Sequence, residues 1–465
     1  MRVRQVSFWL SLGLLAPGMT AGDFASMAAR PAPDWARDGI VYEVFPRVFS
    51  PAANLAGVTA RLDDLRSLGV TIVWLMPIHP IGRAKRKGTY GSPYSIQDYY
   101  AVNPDYGTKE DLKTLVREAH ARGLRVILDV VANHTAWDSV LLSAPELYRR
   151  DASGRVLPPN PDWADVAQLD YASPRTRRLM VDVLEHWLRE ADLDGFRCDM
   201  AGLLPTSFWE EARPSLDRAK PGLFLLAEWS GPELMTRAFD ADYGWPFHTA
   251  LTRVLSRGSP ASDIRAVWEE ERRAFPGGTL HLRFSDNHDE RRAVARFGEA
   301  AALAASALVL TLDGIPLLYN GMEVGDTAES GGPALGERLP IFWPVAERRP
   351  EFPRFYAQMI ALRRAHAALR QGETVWLPNA DESRVVSYLR QGGGEEFLIA
   401  INLSSQPWSG QVGVERPGTL VEVTPDVPPP LLPGASTSER TLAPVSWPQL
   451  EIDAWGFRVF RRPIS

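Results

Sequence analysis

Residues 195–201 (GFRCDMA) set an arginine and a carboxylate two positions apart among apolar neighbours. Side chains on a strand alternate between faces, so Arg197 and Asp199 project to the same side. A buried guanidinium or carboxylate is costly unless paired, which marks the two as a built site. A neighbouring arginine lowers a carboxylate's pKa and keeps it an anion ready to attack. Alone, the heptapeptide reads equally well as a structural ion pair. Three other stretches shift that balance: 129–134 (DVVANH), 225–229 (LLAEW) and 284–289 (FSDNHD) each bring acids or histidines to the end of an apolar run. Asp129, Asp199, Glu228, Asp289, His134, His288 and Arg197 would be expensive to bury together without function. The one cysteine, Cys198, excludes an internal disulfide and a cysteine-ligated zinc site, and reads as buried filler facing away from Arg197 and Asp199. The working groups are therefore carboxylates. A nucleophile and an acid, both carboxylates, are what retaining glycoside hydrolysis requires. Asp199 is the expected anion. Glu228, between Leu-Leu-Ala and Trp229, has an apolar setting that raises its pKa and suits it to act as general acid. Asp289, His288 and His134 are then placed to grip sugar hydroxyls.

Such groups need rigid carriers. Apolar runs at 40–45, 71–77, 124–131, 195–199, 223–229, 281–285 and 315–319 read as parallel strands covered on both faces. A weaker eighth strand falls near 239–243. Helical patterns at 58–68, 109–122, 174–191, 205–220, 261–275, 300–310 and 354–369 alternate with them. This alternation predicts an α/β fold, a closed (β/α)8 TIM barrel over 34–375. An open doubly wound sheet is the alternative, but no glycine-rich phosphate loop follows the first strand. Catalytic groups of such barrels sit at the C-terminal ends of strands, where these residues fall. The long connection 134–173 after the third strand predicts an inserted loop domain. From 376 to 465, period-two runs at 384–389, 396–402 and 456–460 predict a C-terminal antiparallel β-sandwich domain.

The 465 residues suffice for a barrel and a smaller domain, and 45% hydrophobic with 23% charged residues is an ordinary globular composition. A formal net charge of −6, without a Lys/Arg block, argues against a nucleic-acid partner. Fifteen tryptophans offer flat faces suited to sugars, although most such rings fill cores. Residues 1–26 read as a signal peptide and linker: two arginines, apolar Val6–Ala16, then small residues at Thr20-Ala21. That segment is too short for a stable membrane anchor and implies a secreted or periplasmic protein. A start at Met19 or Met27 would instead make it cytoplasmic.

In order along the chain, 129–134, 195–199, 225–229 and 284–289 resemble the four signature regions of the α-amylase superfamily, glycoside hydrolase family 13. Residues 69–77, 162–170 and 314–323 (GIPLLYNGME) resemble three more. The resemblance runs from Asp34 to the C-terminus. It implies Asp199 as nucleophile, Glu228 as acid/base and Asp289 as transition-state stabiliser. Arg197 would orient Asp199, with His134 and His288 on the sugar. Tyr94, in 91–98 (GSPYSIQD), is similar to the tyrosine that stacks under the sugar being cleaved, and Asp129 and Trp229 join it as substrate-binding residues. The implied reaction is cleavage of α-1,4-glucosidic bonds in starch-like glucans or maltooligosaccharides. An α-glucosidase, a cyclomaltodextrinase, a 4-α-glucanotransferase and a non-catalytic glucan-binding member are the alternatives, and survival of the acidic trio disfavours the last. One departure stands out. Gly202 and Leu203 occupy the positions where typical α-amylases carry Lys-His. Asn133 matches a calcium ligand of the family, but the missing histidine, whose carbonyl completes that site, leaves calcium open. No organic cofactor is expected.

Overall fold

Strands β1 (Val41–Val44), β2 (Ile72–Leu75), β3 (Arg125–Val130), β4 (Gly195–Cys198), β5 (Phe224–Ala227), β6 (Ala241–Tyr243), β7 (His281–Arg283) and β8 (Ile315–Tyr319) are parallel, and β8 pairs with β1 to close a barrel. The computed structural model describes residues 21–425, 447 and 449–464. The signal-peptide expectation therefore lies outside the described residues, apart from its last positions. Val41, Trp74, Ile127, Phe224, Leu226, Tyr243, Leu282 and Leu317 fill the barrel interior. Their strand neighbours Tyr42, Val73, Val126, Phe196, Cys198 and Leu225 pack outward against the helices. The same alternation turns Glu43, Asp129 and Arg197 inward. Cys198 is the outward-facing filler expected of it, and burial pushes its thiol pKa up. Gly195 is required by close approach, since a Cβ there would overlap the Phe224 carbonyl oxygen of β5.

The helices start on local signals. Thr108 and Asp111 form a reciprocal capping box ahead of Lys109–Ala121, and Pro174 opens Pro174–Ala191. The expected helix over 58–68 is two, Leu55–Thr59 and Leu62–Leu68, and the one over 354–369 is Glu351–Ala365 followed by Ala367–Gln371. The sequence reading passes over a further helix, Trp245–Arg257. Phe247, Leu251 and Val254 on it are buried at helical spacing, and left-handed Gly258 ends it. Folding also begins earlier than Asp34. Phe24 is buried, Ala28 bridges to Gly277, and Arg30 pairs with Asp217 (3.0 Å) and Asp240 (3.3 Å).

Between β3 and the next helix, His134–Ala136 and Val166–Gln168 form an antiparallel hairpin that carries three short 3-10 turns. At the C-terminus, β9 (Glu373–Trp376), β10 (Val385–Gly392), β11 (Glu395–Asn402), β12 (Trp408–Gln411), β13 (Val421–Glu422), β14 (Gln449–Ile452) and β15 (Phe457–Pro463) follow. Five of them make an antiparallel sheet, in the order β9-β10-β11-β15-β13, and β12 pairs with β14. One face of the large sheet encloses Leu398, Trp408, Leu450 and Phe460. The other presents Tyr388, Phe397, Ile399 and Ile401 to the barrel's helices. The sheet begins at Glu373, ahead of the expected boundary at 376, because β9 pairs along β10 from Gln391 to Tyr388.

Candidate active site

Arg197 is the hub. Its side chain is fully buried inside the barrel, over the rings of Trp74 (5.1 Å), Tyr94 (5.6 Å) and Tyr243 (5.6 Å). Nη1 donates to Asp129 Oδ1 and Asp199 Oδ1, both at 3.0 Å, and Nε donates to Tyr243 Oη at 3.2 Å. Nη2 lies 2.8 Å from Glu228 Oε1. The pairing comes from strand register, which sets Asp129 beside Arg197 on neighbouring strands. The arginine thus grips three carboxylates, whereas the sequence pointed to Asp199 alone.

Each carboxylate meets different surroundings. Asp199 Oδ2 is buried and accepts no hydrogen bond among the described residues, which leaves a free lone pair beside a neutralising guanidinium. Glu228 Oε2 accepts from the Met200 amide at 2.8 Å. Burial pushes the Glu228 carboxyl well above the usual carboxylate range; Arg197 opposes the rise, and the charges of Asp199 and Asp289 add to it. Asp129 is pushed up to about 7 by burial, against the pull of Arg197. Its Oδ2 accepts from Tyr94 Oη (3.1 Å) and Trp74 Nε1 (3.3 Å).

On the far side, His288 stacks on Tyr94 with ring centroids 5.3 Å apart, and its Nε2 meets Tyr94 Oη at 2.7 Å and Asp289 Oδ2 at 3.3 Å. Its Nδ1 meets Glu43 Oε1 at 2.5 Å. Burial disfavours the imidazolium, but Asp289 and Glu43 outweigh it and raise the histidine to about 9. Asp289, 39% exposed, is the acid that opens to solvent. His134 lies close by, its ring 5.8 Å from that of Trp163, and burial lowers its pKa although Asp199 and Asp165 pull the other way. Trp229 lies flat on Gly202 and Gly231, where a Cβ at either position would run into the indole.

The residues singled out in the sequence therefore gather at one end of the barrel. Glu43, Trp74 and Tyr243 are the members that sequence reasoning missed. Glu43 had a signal, since it is the lone charge inside the apolar run 40–45.

A free carboxylate oxygen next to a second carboxyl of raised pKa can attack an acetal carbon while the other protonates the leaving oxygen. The alpha-amylase catalytic-domain family model matches residues 36–145 and 161–333. The chain belongs to the α-amylase family. It is accordingly an α-amylase-type glycosidase on a TIM barrel, as its resemblance to glycoside hydrolase family 13 implied. A cyclomaltodextrinase of Geobacillus thermopakistaniensis is 29% identical over 423 residues, 81% of this chain and 70% of the relative. The alpha-amylase MalA of Haloarcula japonica is 30% identical over 82% of this chain and 58% of its own length. Among solved structures, a noncanonic maltogenic alpha-amylase from Thermotoga neapolitana superposes with a TM-score of 0.78 at 27% identity, covering 92% of this chain and 97% of that one. An alpha-amylase from Lactobacillus plantarum gives 0.77 at 29%, covering 92% and 99%. Among the described residues, no helix is long and apolar enough to cross a membrane.

The calcium expectation falls on Asn133. Its Nδ2 faces His134 Nδ1 at 3.2 Å, and Asp165 of the inserted hairpin is taken by Lys87 Nζ at 2.7 Å. Among the described residues no three acids, histidines or cysteines gather as a metal group. A calcium shell takes six to eight oxygens, to which amide and backbone carbonyls also contribute.

Proposed function

We propose that this glycosidase cleaves α-1,4-glucosidic bonds of starch-like glucans or maltooligosaccharides with retention of configuration. The observation that carries the reading is Asp199, with Oδ1 held by Arg197 and Oδ2 unpartnered, beside a Glu228 whose carboxyl favours its proton. Asp199 Oδ2 attacks the anomeric carbon from the face opposite the leaving oxygen, and Glu228 gives that oxygen its proton. The product is a β-linked glycosyl ester on Asp199. Glu228, now a base, takes a proton from water, which attacks the same carbon and returns the α configuration. Asp289 and His288, an ion pair at 3.3 Å, hold hydroxyls of the sugar at that centre. Tyr94 and His134 complete its walls.

Fresh products followed by proton NMR over the first minutes test the mechanism: they should be α and mutarotate towards β. First-formed β products would rule out double displacement. A second reading, a cyclomaltodextrinase, is supported by the relative of that name at 29% identity. A chromatographic time course on soluble starch, maltooligosaccharides, a cyclodextrin and pullulan separates the two. Preferred opening of the cyclodextrin favours the second; even consumption of starch favours the first. Export is proposed from Met1–Ala21, and protein recovered from the native host's extracytoplasmic fraction should begin near Gly22. An intact Met1 would exclude it.

A further inference from the structure

Glu43 is the inward-facing acid of β1 and is fully buried. A carboxylate so placed is costly unless compensated. Its Oε1 meets only His288 Nδ1, and its Oε2 has no hydrogen-bond partner among the described residues. From that contact a single chain of polar groups crosses the barrel: Glu43, His288, Tyr94, Asp129, Arg197, and then both Asp199 and Glu228.

Hydrogen counting gives the chain a direction. Asp129 accepts at both oxygens, from Arg197 at Oδ1 and from Trp74 and Tyr94 at Oδ2. With Asp129 ionised, above the pH of about 7 to which burial raises it, the one Tyr94 hydrogen is committed to Asp129. The hydrogen between Tyr94 and His288 must then come from Nε2. Neutral imidazole carries one hydrogen, so a second is needed between Nδ1 and Glu43. Glu43 and His288 thus share a proton that a neutral partner at position 43 would not retain.

We propose that Glu43 is a positioning residue, which through His288 keeps a hydrogen on Nε2; in the free enzyme that hydrogen goes to Tyr94 and aims the Tyr94 hydroxyl at Asp129, and a sugar hydroxyl would take it over on binding. The contact with substrate rests on the glycosidase reading above; the proton on His288 does not. The charged and titratable groups around His288 are Glu43 from β1, Asp289 beside it, Tyr94 from the loop after β2, Asp129 from β3 and Glu228 after β5 at longer range, and Arg197 from β4, whose charge acts against the imidazolium. With Glu43 replaced by an amide the second proton is lost, and neutral His288 either donates from Nδ1 to the amide oxygen or accepts from the amide NH2 there. In the first arrangement Nε2 becomes an acceptor and the Tyr94 hydrogen turns from Asp129 to His288.

The test is an NMR titration of the apoenzyme labelled with 13C-histidine, with His288→Gln to assign the resonance. Wild-type His288 should lose its proton near pH 9. In Glu43→Gln the midpoint should fall by about 1–3 pH units, the size of effect a carboxylate in contact exerts. Glu43→Asp, which keeps the charge, should restore most of the shift. On a maltooligosaccharide, KM should rise from a lower pH in Glu43→Gln than in wild type, with kcat less affected. A wild-type midpoint near the ordinary ~6.5 overturns the proposal, as does an unchanged midpoint in Glu43→Gln with only the melting temperature lowered. Should Glu43→Gln fail to fold, Asp289→Asn decides: with Glu43 the remaining carboxylate in contact with the ring, the midpoint must stay above ~6.5. If wild type cleaves no α-glucan, the functional reading fails while the titration still settles the role of Glu43.

Discussion

At the scale of single residues, Asp199 and Glu228 share one guanidinium yet differ in what their second oxygens meet. On the proposed mechanism the free Oδ2 of Asp199 is the nucleophile, whereas Glu228 accepts an amide hydrogen and, buried near other acids, favours its proton. A general acid works only while protonated. A raised pKa therefore extends activity to higher pH than an ordinary carboxyl of ~4.3 would allow, and the rate falls on the alkaline side. Glu228→Gln should cost on the order of 10²–10⁴ in kcat, and much less for substrates whose leaving group needs no proton. Asp199→Ala should be nearly inactive on every substrate, since no glycosyl ester can form. Azide separates the two carboxylates. From an activated α-glucoside, Asp199→Ala with azide should yield the β-glucosyl azide, and Glu228→Ala the α anomer by interception of the intermediate. The opposite anomers would exchange the roles.

At the scale of elements, the segment after β4 and the segment after β5 meet through an indole. Trp229 rests on Gly202, where typical family members carry a lysine, and on Gly231. Both glycines are fitted to the ring. Gly202→Ala should push the indole out of its seat, cost about 1–3 kcal/mol of stability and raise KM more than it lowers kcat. Thermal unfolding and initial rates on maltotriose read the two effects; unchanged values in both would mean that the loop absorbs the methyl. The inserted hairpin is tied to the loop after β2 by Lys87, which reaches the Asp165 carboxylate and, at 2.8 Å, the Asp162 carbonyl. With an ammonium making that tie, a chelator should leave the melting temperature in place. A fall that calcium reverses would instead reveal a metal site, since a ligand bound only by the folded state stabilises it.

At the scale of the whole molecule, the C-terminal sheet is part of the barrel's packing. Buried Arg363 donates to the carbonyls of Leu310, Leu312 and Gly314, which lead into β8. Arg390 of β10 donates to Thr311 and Gly372 oxygens. Tyr388, Phe397, Ile399 and Ile401 cover the adjoining helices, among them Glu299–Thr311, whose residues are nearly all buried. A chain ended at Gly372 would expose that face and should aggregate or melt well below the full-length protein. Calorimetry of the intact protein should show one transition. Arg390→Met, which strips the buried Thr311 carbonyl and the half-buried Gly372 carbonyl of this donor, should cost about 1–3 kcal/mol for the buried group left unsatisfied. Two well-separated transitions would mean that the sheet and barrel fold independently.

Much of this molecule was determined by local pattern. Continuous apolar runs alternating with amphipathic stretches dictated a parallel barrel, because strands covered on both faces must be apolar throughout. The acids at the ends of those runs marked the site, because burial penalises them anywhere else. Register was decided only in three dimensions. Whether Arg197 meets one carboxylate or three depends on how β3, β4 and β5 line up, and no residue spacing encodes that. Glu43 shows the same limit: it is 245 positions from His288, and only closure of the ring through β8 brings β1 near the end of β7. The early anchoring of Phe24 and Arg30 went unread because its partners are also distant in sequence, whereas the helix Trp245–Arg257 carried a local period and packs on the neighbouring helix Ser262–Ala274, so its signal was present and passed over. Residue type and period specify which face is buried; chain closure specifies which residues share it.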